Sequence, residues 1–224
     1  LDDDSNVRHY IKYASLTMTT ILGADWNMNY LAHIHLAHVT NTSMLGNFFG
    51  DFVKGSDLSH FDEAHQLGVR LHRSIDSFTD SHAQVKALKS LFPESIRRMS
   101  GIVIDIYFDH LLCVHWTHFT DRELDGLLIH FYDEVENFSS DVSDRFQRVR
   151  QGLLDYRWLA DYQNPATCER SFVQIEKRLG SRVVFAAEAT QFIQQNNQEL
   201  TERFLCFYPE LIVFSQRKAD LLSV

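Results

Sequence analysis

The chain has 224 residues, 45% of them hydrophobic and 17 of them phenylalanine, enough for one domain with a filled interior and too apolar for disorder. Its formal net charge of −9 excludes general affinity for nucleic acid or an anionic membrane, and only 9 glycines and 3 prolines exclude a turn-rich β-sandwich. Cys113, Cys168 and Cys206 are odd in number and isolated, which excludes a disulfide framework and a zinc ribbon and indicates a reducing, cytoplasmic compartment.

Residues 8–24, "RHYIKYASLTMTTILGA", imitate a signal peptide only faintly, because threonines and a serine interrupt the apolar stretch. The expectation is an N-terminal extension over 1–27, upstream of a natural start at Met28, with the functional domain at 28–224. Asn41-Thr42-Ser43 and Asn137-Phe138-Ser139 are sequons, which matter only in a secreted protein. No run approaches the ~18 apolar residues of a membrane span.

Helical periodicity dominates from there on. "LAHIHLAH" (31–38) carries His33, His35 and His38; His33 and His35 are two apart and share a face only in a strand. In "GNFFGDFVKG" (46–55), Asp51 follows an apolar run and reads as a helix end or turn. Over 61–80, Ala64, Leu67, Leu71, Ile75 and Phe78 form an apolar stripe. "PESIRRMSGIVIDIYFDHLLCVHW" (93–116) opens with Pro93 and is apolar on most sides, which predicts a central helix. "TDRE" (120–123) is a capping-box pattern before Leu124, Leu127, Leu128 and Phe131. Further helices are expected at about 144–162 and at 166–179, the latter stopped by Gly180, then over 181–207 with a break at Asn196-Asn197. Pro209 is expected to open a last helix. Short runs such as "RVVF" are strand candidates, but nothing alternates over a useful length. The reading is a single all-α domain.

Two stretches carry chemistry. In "LHRSIDSFTD" (71–80), His72, Asp76 and Asp80 recur every four residues and line one helix face. Imidazole and carboxylate at that spacing suit a divalent cation, and Arg73 beside them suits an anion at the metal. A solvated face of His–Asp pairs satisfies the same spacing. In "DIYFDH", Asp105 and Asp109 share a face of an apolar helix with His110 beside it. Carboxylates there need a compensating cation, either an arginine or a metal. "DEAH" (62–65) spells a helicase box, but no phosphate-binding GxxxxGK[ST] loop accompanies it. It is also not the Glu-x-x-His of di-iron bundles, and no GxSxG or cysteine nucleophile signature occurs.

"MNYLAHIHLAH", "GNFFGDFVKG", "LHRSIDSFTD" and "DIYFDHLLCVHW", in this order, together with the closing "RFLCFYPEL", resemble the bacterial acyl carrier protein phosphodiesterases, also called acyl carrier protein hydrolases. The resemblance covers roughly residues 28–220. It implies an all-helical bundle related to the HD-domain metal-dependent phosphohydrolases. It also implies hydrolysis of the phosphodiester joining 4′-phosphopantetheine to a serine of holo-acyl carrier protein, with Mn²⁺, or else Mg²⁺ or another divalent ion, as cofactor. Carried over, the metal ligands are Asp51, His72, Asp76 and Asp109 with His110, and Asp80 and Asp105 stand behind them or replace one. Asp109-His110 reverses the His-Asp order of ordinary HD proteins. Arg73 is expected to hold a phosphoryl oxygen, and His110 or His115 to protonate the departing serine.

Carrier proteins are acidic, as is this chain, so docking requires a local basic surface, and Lys86, Lys89, Arg97 and Arg98 are the candidates. Two competing readings are an HD-type phosphohydrolase acting on nucleotides or other small phosphodiesters, and a non-catalytic helical binding module.

Overall fold

The computed structural model describes residues 29–180 and 183–223. The N-terminal extension expected at 1–27 and the start expected at Met28 lie outside the described residues. Among the described residues there are helices and no strand: α1 (Tyr30–Val39), α2 (Met44–Phe49), α3 (Glu63–Ser81), α4 (Ala83–Leu91), α5 (Ser100–Val114), α6 (Leu124–Asn137), α7 (Asp144–Tyr156), α8 (Ala166–Leu179) and α9 (Ala186–Leu222). None of them is long and apolar enough to cross a membrane.

α1 is apolar on all sides, and every residue from Tyr30 to Ala37 is buried. A helix of that kind sits inside a bundle. Its Tyr30 ring packs against Phe48, Phe52 and Trp158. α2 starts at Ser43, whose Oγ accepts from the Gly46 amide at 2.9 Å, and α3 starts at Asp62, whose carboxylate accepts from the His65 amide at 2.9 Å. These two helices lie unusually close. A Cβ on Gly68 would sit 2.5 Å from the Asn47 nitrogen, and one on Gly46 would sit 2.7 Å from the His65 Cα. Only hydrogen fits at either position.

The remaining elements follow the sequence with four corrections. α5 begins at Ser100 rather than at Pro93, because Pro93 heads a turn and residues 97–99 form a short 3₁₀ segment held by Arg97 donating to the Phe92 carbonyl. The capping box at 120–123 does not form: Glu123 occupies the N-cap of α6 without a side-chain bond, and Thr120 accepts from the Arg122 amide instead. α7 ends at Tyr156, where Arg157 turns left-handed (φ 46°), and residues 158–163 continue as 3₁₀. Pro209 lies inside α9 rather than opening a helix. Phe204, Phe207, Tyr208 and Leu211 are all buried on its core side, so packing carries the helix across the missing proline N–H. The break expected at Asn196 is present as a kink (φ −116°, ψ 17°), with its side-chain amide donating to the Phe192 carbonyl at 2.8 Å. Gly180 ends α8 with φ 74°, as its position predicts. Of "RVVF", the described residues 183–185 are not a strand.

Candidate metal centre

The buried run of α1 aims His33 and His35 at different neighbours. His35 Nδ1 lies 2.9 Å from the Tyr208 hydroxyl, and its ring meets Trp116 edge-on. That is a core histidine, and burial pushes its proton affinity down to about 3. His33 instead faces α2 and α3. Its Nδ1 lies 2.9 Å from Asn47 Oδ1, which can only accept, so Nδ1 carries a proton; Nε2 lies 3.1 Å from Asp76 Oδ1, donating to that carboxylate when protonated and offering a lone pair to a cation when not.

From α3, His72 Nε2 reaches the other oxygen of the same carboxylate, Oδ2 of Asp76, at 3.1 Å, as the i, i+4 spacing allows. The two imidazoles stack with ring centres 3.9 Å apart and planes 24° from parallel. His72 gains this position because α2 ends in Gly50: a Cβ there would lie 2.1 Å from His72 Cγ. The next residue, Asp51, brings a buried carboxylate whose Oδ1 is 4.0 Å from His72 Nε2.

One atom from each of His33, His72 and Asp76 falls within 4.8 Å of the others. The electrostatics show what the cluster lacks. Burial pushes the Asp76 carboxyl up, but bonding to and proximity of His33 and His72 outweigh this and hold it well below the usual range. Burial lowers the proton affinity of His33, and Asp76, then Asp51 and Asn47, more than restore it. Asp51 is raised, first by burial, with His72 and His33 pulling it back. Its Oδ2 is buried with no hydrogen-bond partner, as is His72 Nδ1. An orphaned carboxylate oxygen beside two imidazole nitrogens and a second carboxylate fits a borderline divalent cation. The Asn47 bond that fixes the His33 tautomer is the usual support of a metal-binding imidazole. Asp76 keeps 28% of its side chain exposed, so the cluster opens to solvent on that side.

Other residues singled out in the sequence lie elsewhere. Asp109, expected among the ligands, lies outside the three-residue cluster: its two oxygens accept from the Leu31 amide at 3.1 Å and the Ala32 amide at 2.9 Å, at the N-terminus of α1. His110 is turned away, its Nδ1 donating to the Tyr162 carbonyl at 2.7 Å, and it lines a separate cavity of about 430 Å³ with Tyr107, Phe172 and Asn197. His115 ends α5 and stacks on His118; ten residues of helix carry it roughly 15 Å along the axis from Asp105. Arg73 donates to the Val53 carbonyl at 3.1 Å and braces the turn that carries Asp51. Asp80 is paired with Lys89 at 2.8 Å on the rim. Asp105 is half-buried outside the three-residue cluster, and burial, then the charge of Asp76, pushes its carboxyl up to about 7.

His33 and Asn47 are the residues that sequence reasoning missed. "LAHIHLAH" marked the histidine, but only the packing of α1 against α2 and α3 tells it from His35.

Two imidazoles and a carboxylate gathered on a helical frame, open on one side, are the donor set of metal-assisted hydrolysis. The family model described as acyl carrier protein phosphodiesterase matches residues 28–211, and the chain belongs to that family. Among curated relatives, the acyl carrier protein phosphodiesterases of Salmonella dublin and Salmonella agona are each 30% identical over 193 residues, 86% of this chain and 100% of theirs. That of Klebsiella pneumoniae is 31% identical over 192 residues, 85% of this chain and 99% of its own. No solved structure matches the chain.

Proposed function

We propose that the chain hydrolyses the phosphodiester between 4′-phosphopantetheine and a serine of holo-acyl carrier protein, releasing apo-carrier protein and 4′-phosphopantetheine. The observation that carries this reading is the convergence of His33, His72 and Asp76 beside the orphaned oxygen of Asp51, in a chain of this family. These four residues would hold Mn²⁺, with Mg²⁺ or another divalent ion as substitutes. Such an ion, when bound, lowers the pKa of a water and offsets negative charge on the phosphoryl oxygens.

The chain's own residues supply the rest. Asn47 keeps the His33 lone pair aimed inward. Asp76 spans the two imidazoles and orients both. Asp105, a half-buried carboxyl that binds its proton near neutrality, is the candidate donor to the departing serine alkoxide in place of His110 and His115. An all-helical frame with histidine and aspartate donors is the support for a relation to the HD-domain phosphohydrolases, and the free cysteines Cys113, Cys168 and Cys206 support a reducing, cytoplasmic setting.

Docking falls to the basic surface at α4 and the turn after it. Lys86 and Arg98 are exposed there, Lys89 reaches Asp80, and Arg97 is tied to the Phe92 carbonyl. Lys86 and Arg98 are therefore the pair best able to meet acidic residues of a partner.

Incubation with holo-acyl carrier protein and Mn²⁺, with and without EDTA, followed by intact-protein mass spectrometry, tests the reading. Loss of the phosphopantetheinyl arm only with free metal, abolished in Asp76→Ala, is the expected result. An intact arm alongside metal-dependent cleavage of bis-p-nitrophenyl phosphate would move the substrate to small phosphodiesters.

A further inference from the structure

Asp51 is the candidate ligand with the least support of its own. It sits in the turn after α2, followed by an irregular segment from 53 to 62, and its Oδ2 has no hydrogen-bond partner. The position of its carboxylate therefore depends on where its backbone is held. From inside the turn, the amides of Phe52 and Val53 reach back to the Phe49 carbonyl at 2.8 and 3.0 Å, but these bonds leave the Asp51 carbonyl itself unused.

That carbonyl is taken from outside. Arg145, in the first turn of α7, donates from Nη1 to the Asp51 oxygen. Its guanidinium carbon also lies 4.9 Å from the centre of the Phe52 ring. A planar cation is thus fixed at two points, one on each of two consecutive residues of the turn. α7 itself is anchored in the same place. Ser143 caps it by accepting from the Phe146 amide at 3.2 Å, and the Phe146 ring packs on Phe48, Phe49 and Phe52.

We infer that Arg145 is a positioning residue for the metal centre, holding the Asp51 turn against α7 so that the carboxylate stays directed at His72. The inference rests on the proposed ligand role of Asp51. The contacts through which Arg145 acts on the centre are those with the Asp51 carbonyl and the Phe52 ring. Arg73, gripping the Val53 carbonyl from α3, braces the other end of the same turn.

The test is Mn²⁺ affinity of the full chain, read from the electron paramagnetic resonance signal of the free ion, for wild type, Asp51→Asn, Arg145→Gln, Arg145→Lys and Phe52→Leu. Removing a group that orients a ligand weakens metal binding by about 10–100-fold. Arg145→Gln is expected to fall in that range. Arg145→Lys, which keeps the charge and a donor, is expected to recover most of the loss, and Phe52→Leu to show a smaller loss in the same direction. Thermal melts of the metal-free proteins separate these effects from general destabilisation, which lysine would not reverse selectively. Wild-type affinity in Arg145→Gln, with Asp51→Asn impaired, would overturn the inference and leave the centre standing. Wild-type affinity in Asp51→Asn would instead remove the reading on which it rests. Should Arg145→Gln not fold, wild-type affinity in Phe52→Leu would overturn it equally.

Discussion

Gly50→Ala tests whether the close approach of α2 to α3 sets the metal centre. The added Cβ would lie 2.1 Å from Cγ, 2.2 Å from Cδ2 and 2.6 Å from Cβ of His72. Carbon atoms prefer about 3.5–4.0 Å, so the overlap with the ring exceeds 1 Å. Gly50 is in the right-handed helical region (φ −52°, ψ −34°), so backbone strain does not contribute and the whole effect is steric. The ring cannot retreat freely, because it is stacked on His33 and bonded to Asp76 at 3.1 Å. Either the α2 end separates from α3, or His72 rotates out and abandons Asp76. Overpacking of this kind costs about 1–3 kcal/mol. At about 2–4 °C per kcal/mol for a chain of this size, the melting temperature should fall by roughly 2–12 °C. Mn²⁺ affinity should fall more than tenfold, because both outcomes displace a ligand. Scanning calorimetry of the metal-free protein and a Mn²⁺ titration read the two effects separately. An alanine variant with wild-type melting and wild-type metal affinity would refute the steric argument.

Asp109→Asn should destabilise by about 1–3 kcal/mol, since an amide can satisfy only one of the two α1 amides, while Mn²⁺ affinity stays within threefold; loss of metal binding without a lowered melting temperature would make Asp109 a ligand after all. For the metal-free protein, the raised His33 contributes stability that is complete below the ordinary histidine value of ~6.5 and disappears as pH rises through its higher folded value. The lowered Asp76 contributes stability that is present above the ordinary value of ~3.9 and disappears as pH falls towards its lower folded value. Melting curves in EDTA should therefore show this pair's contribution between about pH 4 and 6.5, and His33→Gln should flatten both limbs; a profile unchanged by His33→Gln would contradict the pairing. Protons compete with metal for His33, so Mn²⁺ affinity should weaken as pH falls through its folded value, which titrations at several pH values would show. Lys86→Glu with Arg98→Glu should raise KM for holo-acyl carrier protein about tenfold, leave kcat within twofold and spare bis-p-nitrophenyl phosphate, the effect shrinking as salt is added. An unchanged KM would move the docking surface elsewhere.

The helical character of the chain was legible because its periodicity is strong: the stripe on α3, the Gly180 stop and the break at Asn196 all come from local chemistry. The misplaced helix starts at 93 and 120 reflect competing local bonds, from Arg97 to the Phe92 carbonyl and from the Arg122 amide to Thr120, whereas Pro209 stays inside α9 because that helix is held by its buried core side. The same division runs through the centre. His72 and Asp76 share one helix face, so their partnership is visible at i, i+4. Asp109 looks identical in sequence terms, a carboxylate in an apolar helix that needs compensation. That compensation came from backbone amides of α1, which no local pattern announces. His33 and His35 are equally apolar in context, and only the directions of their neighbours separate a candidate ligand from a core residue.

All four candidate ligands, and Asn47 that orients one of them, fall within residues 33–76. The loops that must close to join them are short, and loop-closure cost grows with length. A centre built from near neighbours in the chain has low contact order and can form early in folding. The partners that finish it come later in the sequence: Asp109 holding the start of α1, and Arg145 holding the Asp51 turn. The candidate donors are thus brought together by contacts local in the chain, and the contacts that brace them are supplied from far along it.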